Sequence, residues 1–152
     1  MSQRSLNMRK MKVKKMNKLN ILFVCKYNRF RSQIAEGFFK RYNTNIKIHV
    51  SSAGIIKGLP IAKNVKRVAK KFGIKIGKPK AIDEKLLVKL DYVIIVANNV
   101  QASIFDRKNI KRVIAWKIPD TSQENIKRIE EITRGIRDKV LWLIKKMKNQ
   151  KV

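Results

Sequence analysis

Short runs of purely apolar residues, set between longer stretches with an apolar stripe, constrain this chain's fold more than any other feature. Ile21-Leu22-Phe23-Val24 and Val93-Ile94-Ile95-Val96 are two such runs. Side chains alternate across a strand, so a run with no polar member suits a strand covered on both faces. Lys47–Ser51, ending at Ser52-Ala53-Gly54, reads as another strand, and Lys111–Ala115, around Val113-Ile114, as a fourth. The Val93–Val96 run centres a strand expected over Asp91–Ala97. Between these lie helical periods. The span from Ser32 to Tyr42 sets Ile34, Ala35, Phe38 and Phe39 on one stripe. Pro60 is expected to open a helix that turns Ile61, Val65, Val68, Ala69 and Phe72 inward and stops at Gly73. A last helix, Ser122 to Lys148, repeats Ile126, Ile129, Ile132, Ile136, Val140 and Leu143 at spacings of three and four.

This alternation predicts an α/β chain: a single three-layer domain with a four-stranded parallel sheet, helices on both faces and right-handed crossovers. Sites in such sheets lie beyond the carboxyl ends of the strands. Cys25, Ser52 and the stretch Ala97–Gln101 all fall at such ends. The 152 residues, 44% of them apolar, suffice for one domain with its own core. Residues 1–18 carry seven Lys or Arg, no acid and no apolar period, and are expected to form a flexible basic arm ahead of a domain over 19–152. No apolar run approaches the roughly 20 residues that cross a bilayer. Ile21–Val24 is also shorter than the roughly 7–15 residues of a signal-peptide core. The expectation is a cytoplasmic protein with no membrane partner.

Charge raises a competing reading. The net charge is +28, no acid precedes Glu36, and none lies between Glu36 and Asp83. A nucleic-acid partner is therefore an alternative. It is not favoured, because Lys is spread along the whole chain beside abundant Ile and Asn, as a bulk compositional bias would spread it. The single cysteine, Cys25, excludes an internal disulfide and a zinc site built on several thiols, and the single histidine leaves little else for a transition metal. No metal and no organic cofactor is expected. His49, in the second strand with no acid near it in sequence, reads as structural, and Trp116 and Trp142 as core or rim aromatics.

The loop after the first strand carries the chemistry. A buried strand ends at Cys25, the residues Lys26, Tyr27, Asn28, Arg29 and Phe30 follow, and a helix begins near Arg31-Ser32. Backbone N–H groups of a loop entering a helix bind an anion, and the helix dipole adds positive potential that favours a thiolate. The planar fork of Arg31 can hold two oxygens of a phosphate or arsenate. A lone cysteine after an apolar strand is commonly a small buried hydrophobe. Strand, Cys, five residues, Arg, Ser and helix in that order make one coherent oxyanion site instead. No Gly-x-x-x-x-Gly-Lys occurs, so this is not a Walker-type nucleotide loop.

Phe23-Val24-Cys25 through Arg31-Ser32-Gln33, then Ala35-Glu36, and later Ser51-Ser52-Ala53-Gly54, resemble the low-molecular-weight protein tyrosine phosphatases and their arsenate reductase relatives. The resemblance runs in order from about residue 19 to 148. It implies that Cys25 is the nucleophile and Arg31 the phosphate clamp, with the loop 26–31 cradling the phosphate. It implies further that Ser32 hydrogen-bonds the sulfur as a leaving group, that Asn28 holds the loop's shape, and that Ser52 supports Asn28 from behind. Asn tolerates left-handed backbone better than most residues, which suits that position. Two departures stand out: Tyr27 replaces the family's usual Gly, and Phe30 stands where a second Cys is frequent.

A departing ester oxygen needs a proton, which a carboxylic acid in the mouth supplies. Asp83 and Glu84 look like the start of a short helix, Asp91 opens a strand and Asp138 lies inside the last helix, which leaves Asp106 and Asp120 in loops. The resemblance implies Asp120. Thr121-Ser122-Gln123-Glu124 reads as a capping box with Thr121 as N-cap, which would leave Asp120 just outside the helix. Here Thr121 follows the acid where the family has Pro, and Ser122-Gln123 stand where its substrate-embracing aromatics are expected. The activity this implies is hydrolysis of phosphate monoesters, on a phosphorylated protein (including phosphotyrosine) or a small ester, through a phosphocysteine intermediate. Reduction of arsenate with an external thiol, and a noncatalytic basic module that binds phosphate or nucleic acid, are the alternatives.

Overall fold

The computed structural model describes residues 18–149, so the arm expected over 1–18 lies, apart from Lys18, outside the described residues. Four strands form one sheet: β1 (Leu19–Cys25), β2 (Ile48–Gly54), β3 (Tyr92–Ile95) and β4 (Arg112–Ala115). Every neighbouring pair is parallel, in the order β2-β1-β3-β4. The α/β class, the four strands and their parallel sense are as the alternation predicts. Strand β1 sits inside the sheet, and its apolar run is divided between two cores. Ile21 and Phe23 join the larger one, while Leu22 and Val24 join the smaller. That division is why no member of the run is polar.

The two faces are covered unequally. Helices α1 (Arg31–Tyr42), α2 (Lys63–Lys71) and α4 (Ile126–Asn149) supply the larger core through Ile34, Phe38, Phe39, Val65, Val68, Ile129 and Ile136. Trp116 is buried there, 5.9 Å from the Phe23 ring, while Trp142 is exposed. Among the described residues the opposite face has only the single-turn helix α3 (Glu84–Leu87) and a 3₁₀ turn over Ala102–Phe105, whose Phe105 is buried in the smaller core. Asp83 caps α3 by accepting the Leu86 N–H at 2.7 Å, so the carboxylate that reads as a helix start is one. His49 lies on β2 and is exposed.

Two helix starts fall later than expected. Helix α2 begins at Lys63, not Pro60, because Ala62 is still extended (φ −68°, ψ 150°) and its carbonyl accepts the first helical bond from Lys66. It ends as expected, with Gly73 in the left-handed region at φ 69°. Helix α4 begins at Ile126, not Ser122. The Asn125 Oδ1 accepts the Arg128 N–H at 3.1 Å, which is the N-cap bond, while the Ser122 hydroxyl accepts the Glu124 N–H in a local turn. Thr121 therefore is not the N-cap, and five residues separate Asp120 from the helix. No helix among the described residues is long and apolar enough to cross a membrane.

Candidate active site

The register brings three strand ends level: Cys25 lies beside Gly54, and Val24 beside Ile95. In a sheet of this order the connections part on either side of β1, which opens a crevice between the ends of β1 and β3. The loop Cys25–Ser32 sits at that place, and its residues 26–30 lie between β1 and α1.

Its backbone is held open to an anion. None of the N–H groups of Lys26, Tyr27, Asn28, Arg29 or Phe30 donates to a backbone carbonyl among the described residues. Helix α1, which these residues lead into, has no side-chain cap and no acid in its first turn. Uncapped amides at the head of a 12-residue helix leave a concentration of partial positive charge that protein groups do not neutralise.

Asn28 fixes the loop's shape. It is the only non-glycine with positive φ among the described residues, at 56°, and it is fully buried. Its Nδ2 donates to Ser32 Oγ at 2.8 Å and to Ser52 Oγ at 2.9 Å. Its Oδ1 accepts the Lys80 N–H at 3.0 Å and Gln33 Nε2 at 3.4 Å. Every polar valence of the side chain is used, so the left-handed backbone is over-determined by its surroundings. Gly54 allows the close approach beneath: a Cβ there would lie 2.7 Å from the Tyr27 carbonyl carbon and 2.8 Å from the Asn28 nitrogen.

The reactive groups stand around this frame. Cys25 Sγ is buried and 2.9 Å from Ser32 Oγ. Arg31 is only 2% exposed; Nη1 donates to the Ile118 carbonyl at 2.8 Å and Nη2 to Asn99 Oδ1 at 3.1 Å. Two of its five N–H donors are thereby used to aim the fork, and the others remain for an oxyanion. Asp120 lies across from it, with Oδ2 3.8 Å from Arg31 Nη2. Asp120 is 35% exposed, and its other oxygen accepts the Thr121 N–H at 2.9 Å. Asp106, the other loop carboxylate, follows the 3₁₀ turn on the sparsely covered face and is exposed.

The structure thus gathers Cys25, Asn28, Arg31, Ser32, Ser52 and Asp120 in one place. Phe30 contributes backbone only, since its side chain is buried in the larger core. Tyr27 is half-buried beside two cations: Lys26 Nζ lies 5.4 Å and the Arg29 guanidinium 5.8 Å from its ring centroid. Four participants escape sequence reasoning. Asn99 and the Ile118 carbonyl aim Arg31, Gln33 links Asn28 to the Gly77 backbone, and Glu36 accepts the Ser52 hydroxyl proton. The available signals were weak: Asn99 falls at a strand end, and Gln33 and Glu36 lie within the motif that follows Cys25. Among the described residues, no three His, Cys, Asp or Glu side chains gather as a metal site.

The family model for low molecular weight phosphotyrosine protein phosphatases matches residues 20–152. A protein described as arsenate reductase, from Halalkalibacterium halodurans, is 30% identical over 129 residues, which cover 82% of this chain and 91% of that protein. The crystal structure of an arsenate reductase from Archaeoglobus fulgidus superposes with a TM-score of 0.71 at 26% identity, over 82% of this chain and 98% of that one. The YwlE arginine phosphatase from Geobacillus stearothermophilus shares the fold, with a TM-score of 0.75 at 18% identity over 87% and 94% of the two chains.

Proposed function

This chain belongs to the low molecular weight phosphotyrosine protein phosphatase family, and from that premise we propose that it hydrolyses phosphate monoesters through a phosphocysteine. The observation that carries the reading is the unbonded amides of Lys26–Phe30 and the aimed Arg31 fork set around Cys25. In the first step the Cys25 thiolate attacks phosphorus and forms an S–P bond as the P–O ester bond breaks. Asp120 gives its proton to the departing oxygen. The equatorial oxygens lie against the loop amides and Arg31, donors already in place as charge develops. In the second step Asp120 takes a proton from water, whose oxygen attacks phosphorus and releases inorganic phosphate. The sulfur leaves as a thiolate that the Ser32 hydroxyl, 2.9 Å away, stabilises. The fixed Asn28–Ser52 frame keeps the loop in this geometry through both steps.

Two features narrow the leaving group. Lys26 and Arg29 place two cations beside Tyr27, which disfavours a guanidinium leaving group such as that of phosphoarginine. Ser122-Gln123 follow the acid loop without an aromatic to embrace a phosphotyrosine ring. We therefore assign small or phosphoprotein monoesters without strict tyrosine preference, acted on in the cytoplasm, where a lone thiol stays reduced.

The identity to an arsenate reductase favours a second reading. Arsenate reduction takes two electrons, and a chain with one cysteine must draw a second thiol from another molecule. One experiment decides between them: phosphate release from p-nitrophenyl phosphate, phosphotyrosine, phosphoserine, phosphoarginine and alkyl phosphates, with and without vanadate, beside arsenate reduction coupled to glutathione or thioredoxin. Vanadate-sensitive release with no coupled reduction is expected. Arsenate reduction without ester hydrolysis would replace the phosphatase reading.

A further inference from the structure

A second basic concavity backs the frame that holds the catalytic loop. A hollow of about 380 Å³ touches Asn28, Gln33 and Ser52 at its floor and is walled by Lys40, Lys75, Lys78 and Lys80. Another, about 270 Å³, shares Lys40 and Lys75 and adds Arg41, so that the two form one trough. Its charge is compensated only at Lys40. Glu36 is the only acid from Lys18 to Lys80 and the only carboxylate in the lining. That carboxylate is already committed, to Lys40 at 2.6 Å and to the Ser52 hydroxyl. Among the described residues Lys75, Lys78 and Lys80 pair with no carboxylate within 4.0 Å.

These cations stand on fixed backbone. Gln33 donates to the Gly77 carbonyl and accepts the Gly77 N–H, both at 3.0 Å. The Lys80 N–H donates to Asn28, and its carbonyl accepts the Gly54 N–H at 2.7 Å. A segment tied at both ends presents lysines with little loss of backbone freedom on binding, which favours a ligand of matching charge. The apolar lining is Ile74 and Ile76, with no aromatic ring on which a base could stack.

We propose that this trough is a second anion site, separate from the Cys25 loop, and that it takes a linear oligophosphate recognised through its phosphate chain. Two adjoining hollows that share Lys40 and Lys75, and the number of cations around them, suit several linked phosphates better than one. The assignment does not depend on Cys25 chemistry and stands or falls by binding alone.

The test is titration of the full chain with inorganic tripolyphosphate and, separately, with ATP, read by calorimetry and by amide chemical shifts. Shifts are expected at Lys40, Arg41 and residues 75–80, with ATP binding no tighter than tripolyphosphate. Lys75→Gln with Lys78→Gln should weaken tripolyphosphate about tenfold or more. Lys108→Gln with Lys111→Gln, which removes the same charge ahead of β4 at the far edge of the sheet, should weaken it less than about threefold, because distant charges are screened. Equal weakening in both pairs would reduce the trough to bulk charge and overturn the proposal. Shifts confined to residues 26–33 would also overturn it, as would an ATP affinity tenfold above that of tripolyphosphate.

Discussion

The two halves of the candidate active site are held in opposite ways. The loop 25–32 is a buried frame: Asn28 has all its polar valences bonded, Gly54 leaves no room beneath, and Arg31 is aimed by two acceptors from distant strands' ends. The Asp120 loop is the reverse. Its carboxylate is a third exposed, bonds its own neighbour's amide, and faces Arg31 at 3.8 Å. The difference matches what the proposed reaction asks of each half. A cradle for a phosphoryl group works by preorganised donors that do not rearrange as charge develops. An acid that protonates one molecule and later deprotonates another needs access to both, so it sits where solvent and substrate reach it.

The comparison breaks first at the nucleophile. Cys25→Ser should lower turnover by about 10⁴-fold or more while the chain stays folded and binds vanadate, since serine keeps the shape but is hardly ionised. Comparable turnover in the variant would remove Cys25 from the mechanism and leave the frame as mere structure.

Next comes the exposed half. Asp120→Asn should leave thermal stability unchanged and act according to the leaving group. The loss in kcat/KM should be about 10²–10⁴-fold for alkyl or phenyl phosphates and much smaller for p-nitrophenyl phosphate, whose oxygen departs without a proton. Asp106→Asn, on the other face, should behave like wild type. A uniform loss for every leaving group would make Asp120 a second piece of frame and erase the contrast.

The rigid half should answer differently. Asn28→Ala puts a side chain with no local hydrogen bond at φ 56°, takes one bond each from Ser32 and Ser52, and orphans the Lys80 amide. It should cost about 3 kcal/mol of stability and about 10²-fold in kcat/KM, equally for all leaving groups. Denaturant unfolding and the same substrate series read both. Unchanged stability would show that the loop is not the over-determined element described here.

The smallest effect lies outside both halves. The Arg107 guanidinium bonds the Glu84 carboxylate, tying α3 to the turn after Phe105, and that hydrogen bond, aided by the opposite charge, holds the Glu84 carboxyl below its ordinary value. A depressed carboxyl stabilises the fold above its unfolded value and loses that contribution as pH falls through its folded value. Glu84 is exposed and Arg107 partly so, and solvent screens the pair, so Arg107→Gln should lower Tm slightly at pH 7, by an amount that fades toward acid pH, with kcat/KM unchanged. An activity loss would mean that the sparsely covered face also supports the site.

Legibility in the sequence tracks the same divide between local and distant causes. The strands were readable because burial on both faces leaves runs such as Ile21–Val24 without a polar member. Helix stripes were readable for the same reason, but helix starts were not. Thr121 and Asn125 are both good caps, and only the bond to Arg128 decides between them. At the site, Cys25, Arg31 and Ser32 lie close enough in sequence to form a pattern. Asn99 does not, since its partner is 68 residues away, and Gln33, although inside the pattern, acts on Gly77, 44 residues away; a single amide side chain has no periodicity to betray either contact. Glu36 was visible in the motif, yet its bond to Ser52 needed the parallel pairing of β1 with β2 before it could be drawn.

The place of β1 inside the sheet sets the order in which parts of the site should open. Amides of a strand hydrogen-bonded on both sides exchange with solvent only when most of the structure opens, whereas an exposed connection exchanges through small local fluctuations. The sulfur hangs from the end of such a strand, between β2 and β3. The carboxylate belongs to a connection that precedes Ile126 and has no strand partner of its own. Rising temperature or dilute denaturant should therefore disengage the acid long before the thiol. In that window the protein would still accept a phosphoryl group from an activated ester yet fail to discharge it, and so would accumulate as the phosphorylated form.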